Sequence, residues 1–140
     1  MAATSPAAAF LRGDLVAGAG EPGEAVAAGA RIRLAASTCG ACGRVQFPAR
    51  TECPACGAPA SATALQARAT LGPCTAVLHP PPGALVPTPY LVGVARFPEG
   101  ISVMGLVVGT DQTPPPGTPV ETVATALPDG RLTYAFRPAA

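Results

Sequence analysis

Two short stretches decide how this chain is read: Cys39-Gly40-Ala41-Cys42-Gly43 and Cys53-Pro54-Ala55-Cys56-Gly57. Each is a C-x-x-C followed by Gly. Two intervening residues let both sulfurs of a pair turn toward one ion. The Gly after each second Cys can take positive φ and keeps a Cβ away from amides aimed at sulfur. Pro54 stiffens the second turn. Four thiolates make a tetrahedral S₄ set, which selects zinc or a single iron. Zinc is the favoured metal because nothing else in the chain suggests electron transfer. With four protein ligands no position stays open for water or substrate, so the ion is structural. Two disulfides or four free thiols fit this doubled, tightly spaced pattern poorly.

Downstream of the cysteines the sequence changes character. From about residue 64 it breaks into strand-like runs separated by Pro and Gly clusters. Five strands are expected: Leu65 to Leu78, bent near Gly72-Pro73; Tyr90 to Phe97; Ile101 to Val108; Val120 to Thr125; and Leu132 to Phe136. Pro98-Glu99-Gly100 and Pro128-Asp129-Gly130 read as tight hairpin turns. The joints Pro80 to Pro89 and Asp111 to Pro119 are too rich in Pro for helix. Five short antiparallel strands fit a small Greek-key barrel of the OB type, and their number alone also fits an SH3-like barrel.

Upstream, Arg31-Ile32-Arg33-Leu34 alternates charged and apolar residues and reads as a short strand leading into the cysteines. Residues 1–30 hold 11 Ala and 5 Gly, so a short, partly helical segment or a tail ordered by a partner is expected. The expected organisation is an Ala/Gly-rich segment over 1–30, a zinc ribbon over 31–62 and a barrel over 63–140.

Composition narrows the function. Hydrophobic residues make up 49% of the chain, but 30 of its 140 residues are Ala, so large core side chains are fewer than that figure suggests. A modest core makes a metal a plausible second source of stability. Charged residues are 12%, about half the usual roughly 25%, and every basic residue is Arg. A GC-rich genome accounts for this composition; a surface partly covered by another protein is the second reading of it. The net charge of +1 does not suggest a polyanion held by bulk charge. No apolar run is long enough to span a membrane, and the N-terminus lacks the pattern of a secretory signal. Cysteines in metal-type pairs place the chain in a reducing, cytoplasmic compartment.

Chemistry beyond the metal is sparse. Cys74 lies in a strand-like stretch and reads as a small buried hydrophobe rather than a nucleophile. The single His, His79, reads as a strand-end residue bonded to backbone. Its odd offset from Cys74 puts the two on opposite faces of a regular strand. No nucleophile triad, phosphate loop, dinucleotide fingerprint or zincin motif occurs. No catalytic residue is assigned, and by itself the chain reads as non-catalytic.

The order of these features resembles a family. C-x-x-C-G, then Val45-Gln46-Phe47-Pro48-Ala49-Arg50, then C-P-x-C-G and a barrel is similar to the rubredoxin-type zinc ribbon plus OB-fold proteins of acyl-CoA metabolism. Gly72 to His79 resembles that family's first barrel strand, and Pro89 to Val94 its P-Y-x-x-A-x strand. Gly117-Thr118-Pro119-Val120-Glu121 resembles its turn into strand four, and Phe136-Arg137-Pro138 its closing F-R-P. The resemblance spans about residues 31–138. It implies an accessory subunit that bridges or stabilises thiolase-like, CoA-dependent enzymes (thiolases, retro-aldolases, acyltransferases) and contributes to holding the CoA thioester. The family's aromatic-rich N-terminal helix is replaced here by Ala and Gly. Phe47, Pro48 and Arg50 are the candidate partner-contact residues, with the loop Pro80 to Pro89 and the N-terminal segment. Packing of Phe47 between ribbon and barrel is the competing reading for that residue. The alternative function is a single-stranded nucleic-acid-binding protein, but that reading wants a basic groove interleaved with aromatics, and aromatics total 4%.

Overall fold

The computed structural model describes residues 10, 12–17 and 27–139, and the reading of residues 1–30 as partly helical falls mostly outside them. Within them, Gly13–Leu15 forms one 3-10 turn. Eight strands follow: β1 Ala35–Cys39, β2 Val45–Gln46, β3 Ala60–Ala64, β4 Arg68–Val77, β5 Tyr90–Arg96, β6 Ser102–Val107, β7 Pro119–Ala126 and β8 Leu132–Pro138. The first three make a small antiparallel sheet in the order β2-β1-β3, and the other five close a barrel in the order β4-β5-β6-β8-β7. β6 and β8 run parallel, while every other barrel pair is antiparallel. A three-strand meander closed by a parallel contact to the fifth strand is the OB arrangement, which settles the choice against an SH3-like barrel.

The expected five strands are these five, within a few residues at each end. The bend near Gly72-Pro73 is a register shift between Leu71 and Cys74 in the β4–β5 pairing. A bulge there bends the strand. Before it, β4 pairs with β7 through Arg68, Ala69 and Thr70. Both predicted hairpins close. The Phe97 amide donates to the Ile101 carbonyl at 2.9 Å, and the Leu127 amide to the Arg131 carbonyl at 2.7 Å. Gly100 and Gly130 take φ of 91° and 90°, which side chains other than Gly rarely tolerate.

The stretch 31–34 is not the strand that its alternation suggests. Arg31 bridges to Val123 and Leu34 to Val16 as isolated contacts, and the strand begins at Ala35. The segment crosses from barrel to ribbon, so its apolar residues serve two places. Ile32 packs with Val16, Ala124 and Leu132, while Leu34 enters the main core. That core is shared: Leu34, Ala36 and Leu65 from the ribbon side pack with Leu71, Val107, Val120 and Phe136 of the barrel.

The barrel seam between β6 and β8 is paired only at Leu106–Ala135 and Val107–Phe136. Aromatic rings fill the rest. Phe47 meets Tyr134 edge-on at 6.1 Å, Tyr134 meets Phe136 at 5.9 Å, and Phe136 meets Phe97 at 6.0 Å. Edge-to-face pairs at such distances attract beyond their buried area. The Tyr134 hydroxyl donates to the Met104 carbonyl at 2.7 Å, so its polar tip is satisfied.

Candidate metal centre

The four cysteines come from two matching turns. Cys39 ends β1, and its carbonyl accepts the Gly43 amide at 3.0 Å; the Cys53 carbonyl accepts the Gly57 amide at 2.8 Å. Gly43 and Gly57 have φ of 74° and 76°, as the sequence pattern requires. The amides of Ala41 and Cys42 each donate to Cys39 Sγ at 3.4 Å. The turns place all four sulfurs within 4.8 Å of one another. Cys39 Sγ lies 3.4 Å from Cys56 Sγ, and Cys42 Sγ lies 3.7 Å from Cys53 Sγ. A zinc–sulfur tetrahedron has sulfur–sulfur edges of about 3.8 Å, so the donor set fits a tetrahedral thiolate-binding ion without rearrangement. Cys39 and Cys53 are buried, Cys42 and Cys56 exposed. The cluster therefore has a protein side and a solvent side.

Backbone amides prepare two of the four thiols as thiolates. The amides of Cys42 and Ala41 lower the Cys39 pKa to about 6, and those of Ala55 and Cys56 lower that of Cys53. Cys56 is raised to about 11: the Ala58 amide favours its thiolate, but proton sharing with Cys39, desolvation and proton sharing with Cys53 outweigh it. An ion replaces the shared protons and removes this competition.

The other singled-out residues are placed as follows. Cys74 is half-buried rather than buried, and desolvation raises its pKa, the opposite of an activated nucleophile. His79 is exposed beyond the end of β4 and makes no hydrogen bond among the described residues, so the expected bond to backbone is absent. Phe47 is half-buried on Tyr134 and the core, because the ribbon must cover the open barrel seam. Pro48 and Arg50 are exposed, and the Arg50 amide donates to the buried Ser37 hydroxyl at 3.0 Å, pinning the loop.

Two concave regions escaped the sequence reading. One is an apolar cleft of about 440 Å³ at the barrel mouth, lined by Val86, Leu91, Val107 and Leu127 among others. The second, also about 440 Å³, is lined by Arg68, Thr70, Arg96, Phe97, Pro98 and Pro119, with Ala69. Both assemble residues distant in sequence, so only strand register reveals them.

Comparison with known proteins agrees with this construction. Residues 26–61 match the family model described as "ChsH2, rubredoxin-like zinc ribbon domain". A solved structure described as "Ltp2-ChsH2(DUF35) aldolase" superposes with a TM-score of 0.65 at 24% identity, covering 77% of this chain and 86% of that one. A DUF35-family protein of unknown function from Sulfolobus solfataricus superposes with a TM-score of 0.52 at 18% identity, covering 76% of each chain. No curated protein matches the sequence. The chain thus carries a rubredoxin-like zinc ribbon of the ChsH2 type at residues 26–61 and shares its overall fold with a DUF35 protein.

Proposed function

We propose that this chain is a cytoplasmic, non-catalytic accessory subunit that binds and stabilises a thiolase-like, CoA-dependent catalytic subunit. Its four cysteines hold one structural zinc. The observation that carries the reading is the closed four-sulfur site in a ribbon whose core continues into the barrel. Such a site leaves no ligand position for substrate, so the metal builds shape and does no chemistry. The rest of the described chain offers no nucleophile–base pair: Cys74 is disfavoured as a thiolate and His79 stands alone. The structural match named as an Ltp2–ChsH2 aldolase supports a place in a hetero-oligomer.

Surface chemistry supports docking. Leu78, Leu85 and Met104 are exposed large hydrophobics in a weakly charged chain, and Leu85 belongs to the Pro-rich loop named as a contact. Exposed Pro48 and Arg50 project from the ribbon. The apolar cleft at the barrel mouth is the place where this subunit would contribute to holding the acyl-CoA.

The test is a tagged full-length chain retrieved from extract of its own cells. The expected result is co-purification of a thiolase-like protein whose acyl-CoA activity needs both chains, with one zinc per accessory chain by elemental analysis. A monomeric chain that turns over an acyl-CoA alone, or one that retains no thiolase-like protein, overturns the proposal.

A further inference from the structure

The second cleft carries an inference that does not depend on the partner. We propose that Arg68, Thr70 and Arg96 form a binding site for a phosphate-bearing small molecule of the nucleoside diphosphate type. Thr70 lies directly opposite Arg96 in the β4–β5 pairing, and Arg68 is two residues along the same strand. The two arginines are diagonal neighbours about 7–8 Å apart on the outer barrel face, a spacing that suits adjacent phosphates.

Among the described residues, neither guanidinium has an acidic partner. Arg12, Arg31, Arg131 and Arg137 are each tied to a carboxylate, and Arg33 donates to the carbonyls of Ala64 and Leu65. Arg68 and Arg96 make no ion pair or side-chain hydrogen bond among the described residues. Glu121 faces Arg68 across the β4–β7 pairing. Its two oxygens are already taken, by Arg31 at 2.8 Å and Arg137 at 2.6 Å. Glu99, on the neighbouring hairpin, accepts the Gln66 amide at 2.9 Å and does not line the cleft. Its other oxygen is buried without a partner. The cleft lining therefore holds two guanidinium groups and no carboxylate, with Glu121 and Glu99 just outside it, in a chain whose net charge is only +1.

The cleft is a shallow, largely open depression whose Arg68, Thr70 and Arg96 are all solvent-exposed. Phe97 is buried at its base, and the rings of Pro98 and Pro119 wall it. Gly72 leaves space for Arg96, whose Nε lies 3.7 Å from the position of a Gly72 Cβ. A volume of about 440 Å³ exceeds the needs of one phosphate and suits a phosphate with an organic group attached. Guanidinium groups recognise phosphate by paired N–H donation, and the Thr70 hydroxyl adds a donor. Single-stranded nucleic acid is the rival ligand for a basic barrel face, but it wants exposed aromatic platforms. The one aromatic residue lining this cleft is buried.

The zinc-loaded full chain is titrated with ADP and separately with a ten-nucleotide oligo-dT, by calorimetry at low and moderate salt. ADP should bind with one-to-one stoichiometry. Arg68→Ala and Arg96→Ala should each weaken it about tenfold or more, as expected for loss of a charged hydrogen-bonding partner. Arg131→Ala, whose guanidinium is held by Asp129 away from the cleft, should leave it unchanged. Unaltered melting temperatures would show that the variants are folded. Absence of ADP binding, ADP binding indifferent to both arginines, or tighter arginine-dependent binding of the oligonucleotide overturns the proposal.

Discussion

Gly105→Ala tests the aromatic seam that joins ribbon to barrel. A Cβ built at Gly105 would lie 2.8 Å from Tyr134 Cε2 and 2.9 Å from Phe136 Cε2. Neither ring can simply turn away. Phe136 is fully buried against Phe97, and Tyr134 is held by Phe47 and by its bond to Met104. Overpacking of this kind costs about 1–3 kcal/mol. Losing the Tyr134 hydrogen bond adds about 1 kcal/mol. Replacing Gly in a strand returns about 0.5–1 kcal/mol through the unfolded chain. The steric term wins, leaving a net loss of about 1–3 kcal/mol. At about 2.1 cal/mol/K of unfolding entropy per residue, that is a fall in Tm of about 3–10 °C. Thermal unfolding of the zinc-loaded protein followed by circular dichroism measures it, with Ser102→Ala on the same strand as control. In a Phe47→Ala background the penalty should shrink, because Tyr134 then has room to rotate. A Gly105→Ala Tm equal to or above the parent's would refute the reasoning.

Cys53→Ser should abolish stoichiometric zinc and unravel the ribbon, since structural zinc contributes roughly 10–16 kcal/mol of apparent binding free energy in small ribbons; elemental analysis with circular dichroism checks both. Cys74→Ala should cost about 1 kcal/mol, because the side chain is only half-buried, and should leave the activity of the intact complex unchanged in a steady-state assay. Burial raises the Tyr134 pKa. Its contribution to stability is therefore complete below the unfolded tyrosine value of about 10 and is lost as pH rises through the higher folded value; ultraviolet titration against melting temperature follows this. Arg50→Ala, and separately deletion of residues 1–30, should weaken association with the catalytic subunit while zinc content stays at one per chain, as read by size-exclusion chromatography with elemental analysis.

The barrel strands were legible because Pro and Gly punctuate them and β-branched residues fill them. Val92 and Val94 on β5 and Val103 and Val107 on β6 leave little doubt about period or length. The cysteine cluster was legible for a different reason: its spacing is local, so neighbouring residues alone fix the turns. β3 was not legible. Ala60-Ser61-Ala62-Thr63-Ala64 has weak strand propensity, and it is a strand only because all five of its residues pair with β1. The misplaced start of β1 has the same origin, since tertiary bridges rather than local pattern divide 31–34 from 35–39. Phe47 was undecided between partner and core; the structure packs it, half-buried, on Tyr134 and the barrel core. The diagonal placement of Arg68 and Arg96 needed the β4–β5 register, in which Thr70 faces Arg96, and no periodicity reports it.

The metal site and the barrel are one mechanical unit, and β1 is the connection. Its last residue, Cys39, is a buried thiol of the cluster, while Ala36 near its start and Leu34 just before it lie in the barrel core. Only the few residues of one strand separate a sulfur from the packing around Phe136. The return connection is as short: β3 leads through Leu65, fully buried in the same core, into β4 at Arg68. Arg33 fastens the two crossings together by donating to the Leu65 and Ala64 carbonyls at 2.8 and 3.0 Å. An ion holding the four thiolates thus fixes the ends of two strands whose other ends help fill the barrel. Removing it frees the ribbon, and a freed ribbon withdraws Leu34, Ala36, Leu65 and the Phe47 contact from a core that is poor in large side chains. An ion bound at these four sulfurs would therefore govern the surface this chain can present, because the ribbon it orders covers the barrel seam.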